Sequence, residues 1–280
     1  MKDPIDRSDL EKIVRMALKE DIGRGDVTTS AVIQRDAKAA GSFIAKEKMV
    51  VAGLPVAREV FRILNPETRF TGKVRESAEV EKGSVIAEVR GKARAILSGE
   101  RVALNFLQRL CGIATLTRMF VERAGKSSGI YDTRKTTPGL RMLEKYAVRA
   151  GGGRNHRAGL YDMVLIKDNH IDLAGGIVEA VSYARARYGR RFKIEVETRN
   201  IEEVEEALSA GADMIMLDNM DLSRIRRALK LINRRAQVEI SGGVNLENIR
   251  RLAALSVERI SVGMLTHSAK AMDISMKVKL

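Results

Sequence analysis

At 280 residues and 45% hydrophobic content, the chain can bury one large core or two smaller ones. A formal net charge of +14 favours anionic partners, either nucleic acid or phosphorylated small molecules, but 4% aromatic content without Trp leaves few platforms for stacking single-stranded bases. The lone Cys111 excludes an intrachain disulfide and a thiolate metal cluster, and no apolar run approaches the roughly 20 residues of a membrane helix.

The N-terminal MKDPIDRSDLEKIV lacks the apolar stretch of a signal peptide, so a cytoplasmic protein with no membrane partner is expected. Ser8 and Glu11 stand at capping-box spacing ahead of Leu10, Ile13, Val14, Ala17 and Leu18, which predicts the first helix. GDVTTSAVI reads as loop and turn. From about Ala37 to Val89 the pattern turns to short strand-like runs, GSFIAKEKMVVAG, TRFTGKVRE and SVIAEVRG, with the helix LPVAREVFRIL between the first two. Gly72, Gly83 and Gly91 punctuate them as turns, giving a small mixed sheet with a helix or two on one face.

A long helix is predicted from about Ser98 to Ala124, where Val102, Leu104, Phe106, Leu107, Leu110, Ile113 and Leu116 form a broad apolar face at the junction of two domains. Beyond Gly129, six apolar runs alternate with helical segments: GIYDTR, YDMVLIKD, FKIEVET, DMIMLDN, QVEISGG and ERISVGM. Asn200 and Glu203 mark one helix start. Repeated strand–helix units imply parallel strands, in an α/β barrel or an open doubly wound sheet, with fewer strands than the eight of a complete barrel.

Between the first two of these runs, the segment from Asp132 to His170 gathers Arg134, Lys135, Arg141, Arg149, Arg154, His156, Arg157 and Lys167 around Gly151, Gly152 and Gly153. Cations with exposed backbone N–H groups suit a ligand of several negative charges. In parallel α/β folds, sites sit at the carboxyl ends of the strands. Those ends hold Arg134 and Lys135, Lys167, Glu197, Asp218, Ser241 with Gly242 and Gly243, and Gly263. The last four positions follow one another at 21, 23 and 22 residues, one βα unit each, and so gather on one rim.

Taken singly, each has a plainer reading. A lysine after a strand is ordinarily a solvated loop residue, Asp218 serves equally well as a helix cap, and SGG is an ordinary βα turn. Glu195 and Glu197 differ, because both fall on one face of KIEVE and acids on an inner barrel face are costly without a cation or metal. The paired small-residue turns at the last two strands suit a phosphate, held by N–H groups and a helix N-terminus. His156, His170 and His267 lie in loops without HxxxH-type spacing, so zinc is not indicated; paired carboxylates beside basic phosphate holders fit Mg²⁺ better.

The strings DTRKTTPGLRMLEKYAVRAGGGRNHRAGLYDMVLIKDNH, ERVALNFLQRLCGIAT, KIEVE, MIMLDN, VEISGGVN and EDIGRGDVTT resemble the quinolinate phosphoribosyltransferases, also called nicotinate-nucleotide pyrophosphorylases (carboxylating), over nearly the whole chain. The resemblance implies an N-terminal α/β sandwich, residues 1–110 joined by the tail 269–280, and an incomplete, open α/β barrel of about six parallel strands, residues 111–268. It implies at least a homodimer with the active site shared between subunits. The reaction would join quinolinate to 5-phosphoribosyl 1-pyrophosphate with Mg²⁺, giving nicotinate mononucleotide, pyrophosphate and CO₂ in NAD biosynthesis. By matched position, Arg101, Arg134, His156, Arg157 and Lys167 would hold quinolinate. Lys135, Glu197, Asp218, Ser241, Gly242, Gly243, Gly263 and His267 would bind the phosphoribosyl pyrophosphate. Lys135, Lys167, Glu197 and Asp218 would be catalytic, with Glu197 and Asp218 holding Mg²⁺ directly or through water.

The rival readings are a paralogous phosphoribosyltransferase, of the molybdenum-transport-associated type or using nicotinate, a nucleic-acid-binding protein, and a non-catalytic scaffold. Nicotinate has one carboxylate and needs fewer cations than this cluster holds. Nucleic-acid binding leaves the regularly spaced acidic strand ends unexplained.

Overall fold

The computed structural model describes residues 5–279; residues 1–4 and 280, the extreme ends of the expected N-terminal domain and C-terminal tail, lie outside the described residues. In chain order the elements are α1 (Arg7–Ile22), α2 (Val27–Val32), β1 (Lys38–Ala45), β2 (Met49–Val50), α3 (Leu54–Leu64), β3 (Arg69–Gly72), β4 (Glu79–Val80), β5 (Val85–Lys92) and α4 (Ala93–Ala124). Then come β6 (Gly129–Tyr131), α5 (Arg141–Ala150), β7 (Val164–Ile166), α6 (Asp168–Ala174), α7 (Ile177–Tyr188), β8 (Ile194–Thr198), α8 (Ile201–Ser209) and β9 (Met214–Asp218). The chain closes with α9 (Leu222–Ile232), β10 (Gln237–Ser241), α10 (Ile249–Ala253), β11 (Arg259–Ser261), α11 (Met264–His267) and β12 (Ile274–Lys279).

By packing, one compact unit takes the chain up to Arg118, Thr136–Gly152 and the segment from Thr266, and the other takes Met119–Lys135 and Gly153–Leu265. Residues 111–118, 136–152 and 266–268, grouped with the barrel from sequence, therefore go with the first unit. Among the described residues no helix is long and apolar enough to cross a membrane.

The first unit is built on an antiparallel sheet in the order β12-β1-β5-β3. The C-terminal strand lies along β1, with Ala40 opposite Lys279 and Ala45 opposite Ile274. Phe43 of β1, Phe61 of α3 and Phe70 of β3 meet at ring-centroid distances of 5.8–6.1 Å. Phe43 and Phe61 are fully buried, each stabilising the unit by about 2–3 kcal/mol through area removed from water. Three local expectations need correcting. Asp6, not Ser8, caps α1, its carboxylate accepting from Asp9 N at 3.1 Å while Ser8 lies within the helix. VTTSAV is not a loop: Asp26 accepts from Thr29 N at 2.9 Å and from Ser98 Oγ at 2.8 Å, and so starts α2 despite its β-branched residues. The long helix begins at Ala93 rather than near Ser98.

α5, hidden in sequence by its charges, buries Leu143, Tyr146, Ala147 and Val148 together with Glu144. The Glu144 carboxylate is fully buried. It accepts from Arg109 Nη2 at 2.8 Å and from Thr137 Oγ1 at 2.7 Å, and the same guanidinium donates to Ala269 O at 2.9 Å and to Thr266 O.

The second unit is the expected open barrel, a six-stranded parallel sheet in the order β6-β11-β10-β9-β8-β7 with β6 and β7 as its edges. Its two faces are sorted by chemistry. Register pairs Glu197 with Met216, Met216 with Glu239 and Glu239 with Arg259, and one step on pairs Asp218 with Ser241. Paired residues share a face, so Glu195, Glu197, Asp218, Glu239, Ser241 and Arg259 all lie on one side. The alternate residues Ile194, Val196, Ile215, Leu217, Val238, Ile240 and Ile260 form a buried apolar face. A face this polar cannot serve as a hydrophobic core, and it forms the floor and wall of a cleft.

Candidate active site

The cleft is about 440 Å³ and opens at the carboxyl ends of the strands of the second unit. Of the residues singled out from sequence, Arg134, Lys135, His156, Arg157, Lys167, Glu197, Asp218, Ser241, Gly242 and Gly243 all line it. Gly263 follows β11 but is not among the lining residues. Arg101, exposed on α4, and His267, at the end of α11, belong to the first unit. The first unit has its own cavity of about 310 Å³, walled mainly by apolar side chains of α1 and α4; its one cation, Arg109, is engaged by Glu144.

Each cleft residue is placed by a local device. β6 runs straight into Asp132, whose buried carboxylate accepts from His156 N at 2.8 Å and from Asn155 Nδ2 at 2.6 Å. That pulls the loop after the glycine triplet against the end of β6, and brings His156 and Arg157 beside Arg134. Arg157 donates to Met163 O at 3.2 Å. Burial lowers its pKa, and the neighbouring Arg134 charge lowers it further against the opposing pull of Glu195 and Asp162. Such a desolvated pair of guanidiniums is poised for an anion.

Lys167 ends β7 and is the N-cap of α6, its backbone N donating to His170 Nδ1 at 3.0 Å. Its ammonium is paired with the Glu197 carboxylate. Asp218 does not cap α9; Asp221 does, accepting from Ser223 N at 2.8 Å and Arg224 N at 2.9 Å. This leaves the Asp218 carboxylate on the rim, held by Asn219 Nδ2 at 2.7 Å.

The SGG turn is shaped by two left-handed glycines, Gly242 at φ +84° and Gly243 at φ +60°. Asn248 Nδ2 donates to Gly243 O at 2.9 Å and fixes the far side of the turn. The helix expected to aim its N-terminus at this turn does not do so: α10 is five residues long and starts at Ile249, so the N–H groups near the glycines are those of the loop.

Beneath the cations lies a group the sequence reading had not assembled. His156 Nε2 is 3.4 Å from Glu195 Oε2 and 3.4 Å from Glu239 Oε2, and both carboxylates are fully buried. Burial pulls the His156 pKa down, but the hydrogen bonds and charges of Glu195 and Glu239 outweigh it and raise it to about 9. Burial raises the Glu195 pKa, with the Glu239 charge adding to it and His156 opposing. Glu239, Asp132 and Asn219 were not singled out. Glu239 was findable, since it precedes Ser241 by two residues as Glu195 precedes Glu197. Asp132 and Asn219 act through backbone geometry that no spacing reveals.

With five cationic side chains, two rim carboxylates and a glycine turn, the cleft suits a polyanionic ligand with a hydroxylated centre. Glu197 and Asp218 offer hard oxygen donors on adjacent strands, a set that fits Mg²⁺ shared with ligand phosphates.

Comparison with known proteins agrees with this geometry. The C-terminal domain of quinolinate phosphoribosyl transferase matches residues 113–277, and its N-terminal domain matches residues 26–111. A Bacillus subtilis protein described as a probable nicotinate-nucleotide pyrophosphorylase [carboxylating] is 46% identical over 97% of this chain and 94% of its own length. The chloroplastic nicotinate-nucleotide pyrophosphorylase [carboxylating] of Oryza sativa is 43% identical over 96% of this chain and 78% of that protein. The crystal structure of NadC from Streptococcus pyogenes superposes with a TM-score of 0.95 at 41% identity, covering 100% of this chain and 99% of that one.

Proposed function

The chain belongs to the quinolinate phosphoribosyltransferase family, and we propose that it transfers the phosphoribosyl group of 5-phosphoribosyl 1-pyrophosphate to quinolinate with decarboxylation. The products are nicotinate mononucleotide, pyrophosphate and CO₂, which puts the enzyme in NAD biosynthesis. The observation that carries this reading is a single cleft holding Arg134, Lys135, His156, Arg157 and Lys167 beside Glu197, Asp218 and the Ser241–Gly243 turn.

In the proposed mechanism Arg134, His156, Arg157 and Lys167 hold the two carboxylates of quinolinate, with Arg101 of a second subunit completing the site. Lys135 reaches the pyrophosphoryl group, and the Ser241–Gly243 turn, Gly263 and His267 take the 5′-phosphate. The pyridine nitrogen attacks ribose C1 as the C1–oxygen bond to pyrophosphate breaks. Glu197 and Asp218 face the positive charge that develops at C1 and stabilise it. The Lys167–Glu197 pair has to open for the ribose to enter, which frees both charges for the two substrates at once. The 2-carboxylate then leaves as CO₂, its electron pair remaining at C2 next to the cationic nitrogen, and a proton takes its place. Glu197 and Asp218 would hold Mg²⁺, directly or through water, and the ion would supply charge neutralisation at the pyrophosphate. Work in the cytoplasm as a homodimer or larger assembly completes this reading.

The test is a product assay with quinolinate or nicotinate, each with 5-phosphoribosyl 1-pyrophosphate, with Mg²⁺ and with chelator. Nicotinate mononucleotide from quinolinate alone, abolished by chelator, is the expected result. Turnover of nicotinate but not quinolinate would move the chain to a paralogous activity.

A further inference from the structure

We propose that Glu195 and Glu239 are positioning residues for this reaction: from the floor of the cleft they clamp the Nε2–H of His156 between two carboxylates, so that the ring meets the diacid as a cation. The proposal rests on the reading above for its substrate, and on the structure for its geometry.

The two glutamates come from β8 and β10, with β9 between them. Strands two apart in a sheet are about 9–10 Å apart, so the two side chains lean toward each other across β9 to meet one ring nitrogen. All four carboxylate oxygens are shielded from solvent and have no hydrogen-bond partner; His156 Nε2 approaches one oxygen of each carboxylate at 3.4 Å, an ion-pair distance. A buried carboxylate left so is costly unless a cation answers it. Charged and titratable groups reach the ring's surroundings from several elements. Glu195 comes from β8 and Glu239 from β10; Arg259 of β11 has Nη1 4.0 Å from Glu239 Oε2 and lies over the Tyr131 ring. Asp132 accepts from the His156 backbone, and Arg134 and Arg157, each within reach of the other's charge, line the same cleft. Arg259 and Arg157 also act on Glu195 through their charges, but the ring, at 3.4 Å, is the group set against its carboxylate.

The spacing also suits a metal ion, because His156, Glu195 and Glu239 each offer a ligand atom within 4.8 Å of the others. The hydrogen bonding of the ring argues against that use. Arg157 N donates to His156 Nδ1 at 2.7 Å. A neutral ring that accepts at Nδ1 carries its hydrogen on Nε2, the nitrogen a metal would need. Protonation therefore occurs at Nδ1, releases the Arg157 amide and leaves Nε2–H on the carboxylates. The clamp is common to both states, and it makes the ring basic as a carboxylate behind a histidine generally does.

The chain has three histidines, so ring signals are assignable from the single variants His170→Asn and His267→Asn. Nitrogen NMR of the ligand-free protein is expected to show Nε2 protonated throughout and Nδ1 titrating near 9. In Glu195→Gln or Glu239→Gln, that titration moves down by at least one unit. The alkaline limb of kcat/KM for quinolinate moves with it, while KM for 5-phosphoribosyl 1-pyrophosphate stays within about twofold. A His156 ring that titrates near 6.5 in the unsubstituted protein overturns the proposal, and this readout does not depend on activity. So does a titration that neither substitution moves, or a stoichiometric divalent ion in the purified protein that Glu195→Gln loses.

Discussion

Gly242 and Gly243 are adjacent and both left-handed, yet alanine at the two positions should have very different consequences. At Gly242 a Cβ would stand 2.3 Å from Asn219 Oδ1 and 2.7 Å from Asn219 N; at Gly243 it would meet nothing within 4 Å. The left-handed backbone itself costs a non-glycine residue about 1–2 kcal/mol at either position. For Gly243→Ala that is the whole effect. For Gly242→Ala the Asn219 amide group can swing aside, but it gives up its 2.7 Å bond to Asp218, and the Asn219 backbone, which donates to Ser241 O at 3.0 Å, cannot move without disturbing the β9–β10 ends. A lost hydrogen bond and a strained strand end add about 1–3 kcal/mol. Urea unfolding of both variants, with the denaturant slope held in common, measures the difference. Equal losses of stability, or a larger loss at Gly243, would refute the reasoning that Asn219 and the turn are one interlocked unit.

Arg109→Ala leaves the Glu144 carboxylate buried without its cation and is expected to cost about 3–5 kcal/mol in the same experiment, whereas Glu144→Gln costs clearly less. Cys111 is fully buried and its thiol is pushed up to about 12, so a thiol reagent at pH 8 should label it only under denaturing conditions. Lys167→Ala is expected to lower kcat/KM by about 10²–10³-fold, since it removes a cation from the cleft and leaves Glu197 unpaired; near-normal turnover would remove Lys167 from the mechanism. The His156 pKa is raised from 6.5 to about 9, so its contribution to stability is present in full below pH 6.5 and is lost as pH rises through 9. Stability measured against pH should fall across that window, and the fall should be shallower in Glu239→Gln.

The rim of the site was legible because a βα unit repeats at a near-constant length. Glu197, Asp218 and Ser241 each lie at the carboxyl end of a strand, and near-equal spacing puts them on one rim. The same logic reached Glu195, and applied to QVEIS it reaches Glu239. What spacing does not carry is the third dimension: that Glu195 of β8 and Glu239 of β10 converge on His156, or that Asp132 draws the His156 loop onto β6. Asp218 was ambiguous for a different reason. Two acids, Asp218 and Asp221, precede α9, and only the backbone decides which one caps it. α5 was obscured because Glu144 is a buried charge whose cationic partner, Arg109, lies 35 residues away in sequence. The helix behind the SGG turn was overcalled because Asn245 and Asn248 hold the intervening segment in turns through Asn245 Oδ1, 2.9 Å from Glu247 N and 3.0 Å from Asn248 N.

The central claim is that one cleft performs both phosphoribosyl transfer and loss of the 2-carboxylate. Quinolinate labelled at that carboxyl, turned over with 5-phosphoribosyl 1-pyrophosphate and Mg²⁺, tests it most directly. Labelled CO₂ and pyrophosphate released in equal amounts, each matching nicotinate mononucleotide formed, is the predicted result. Pyrophosphate released without CO₂ would contradict it.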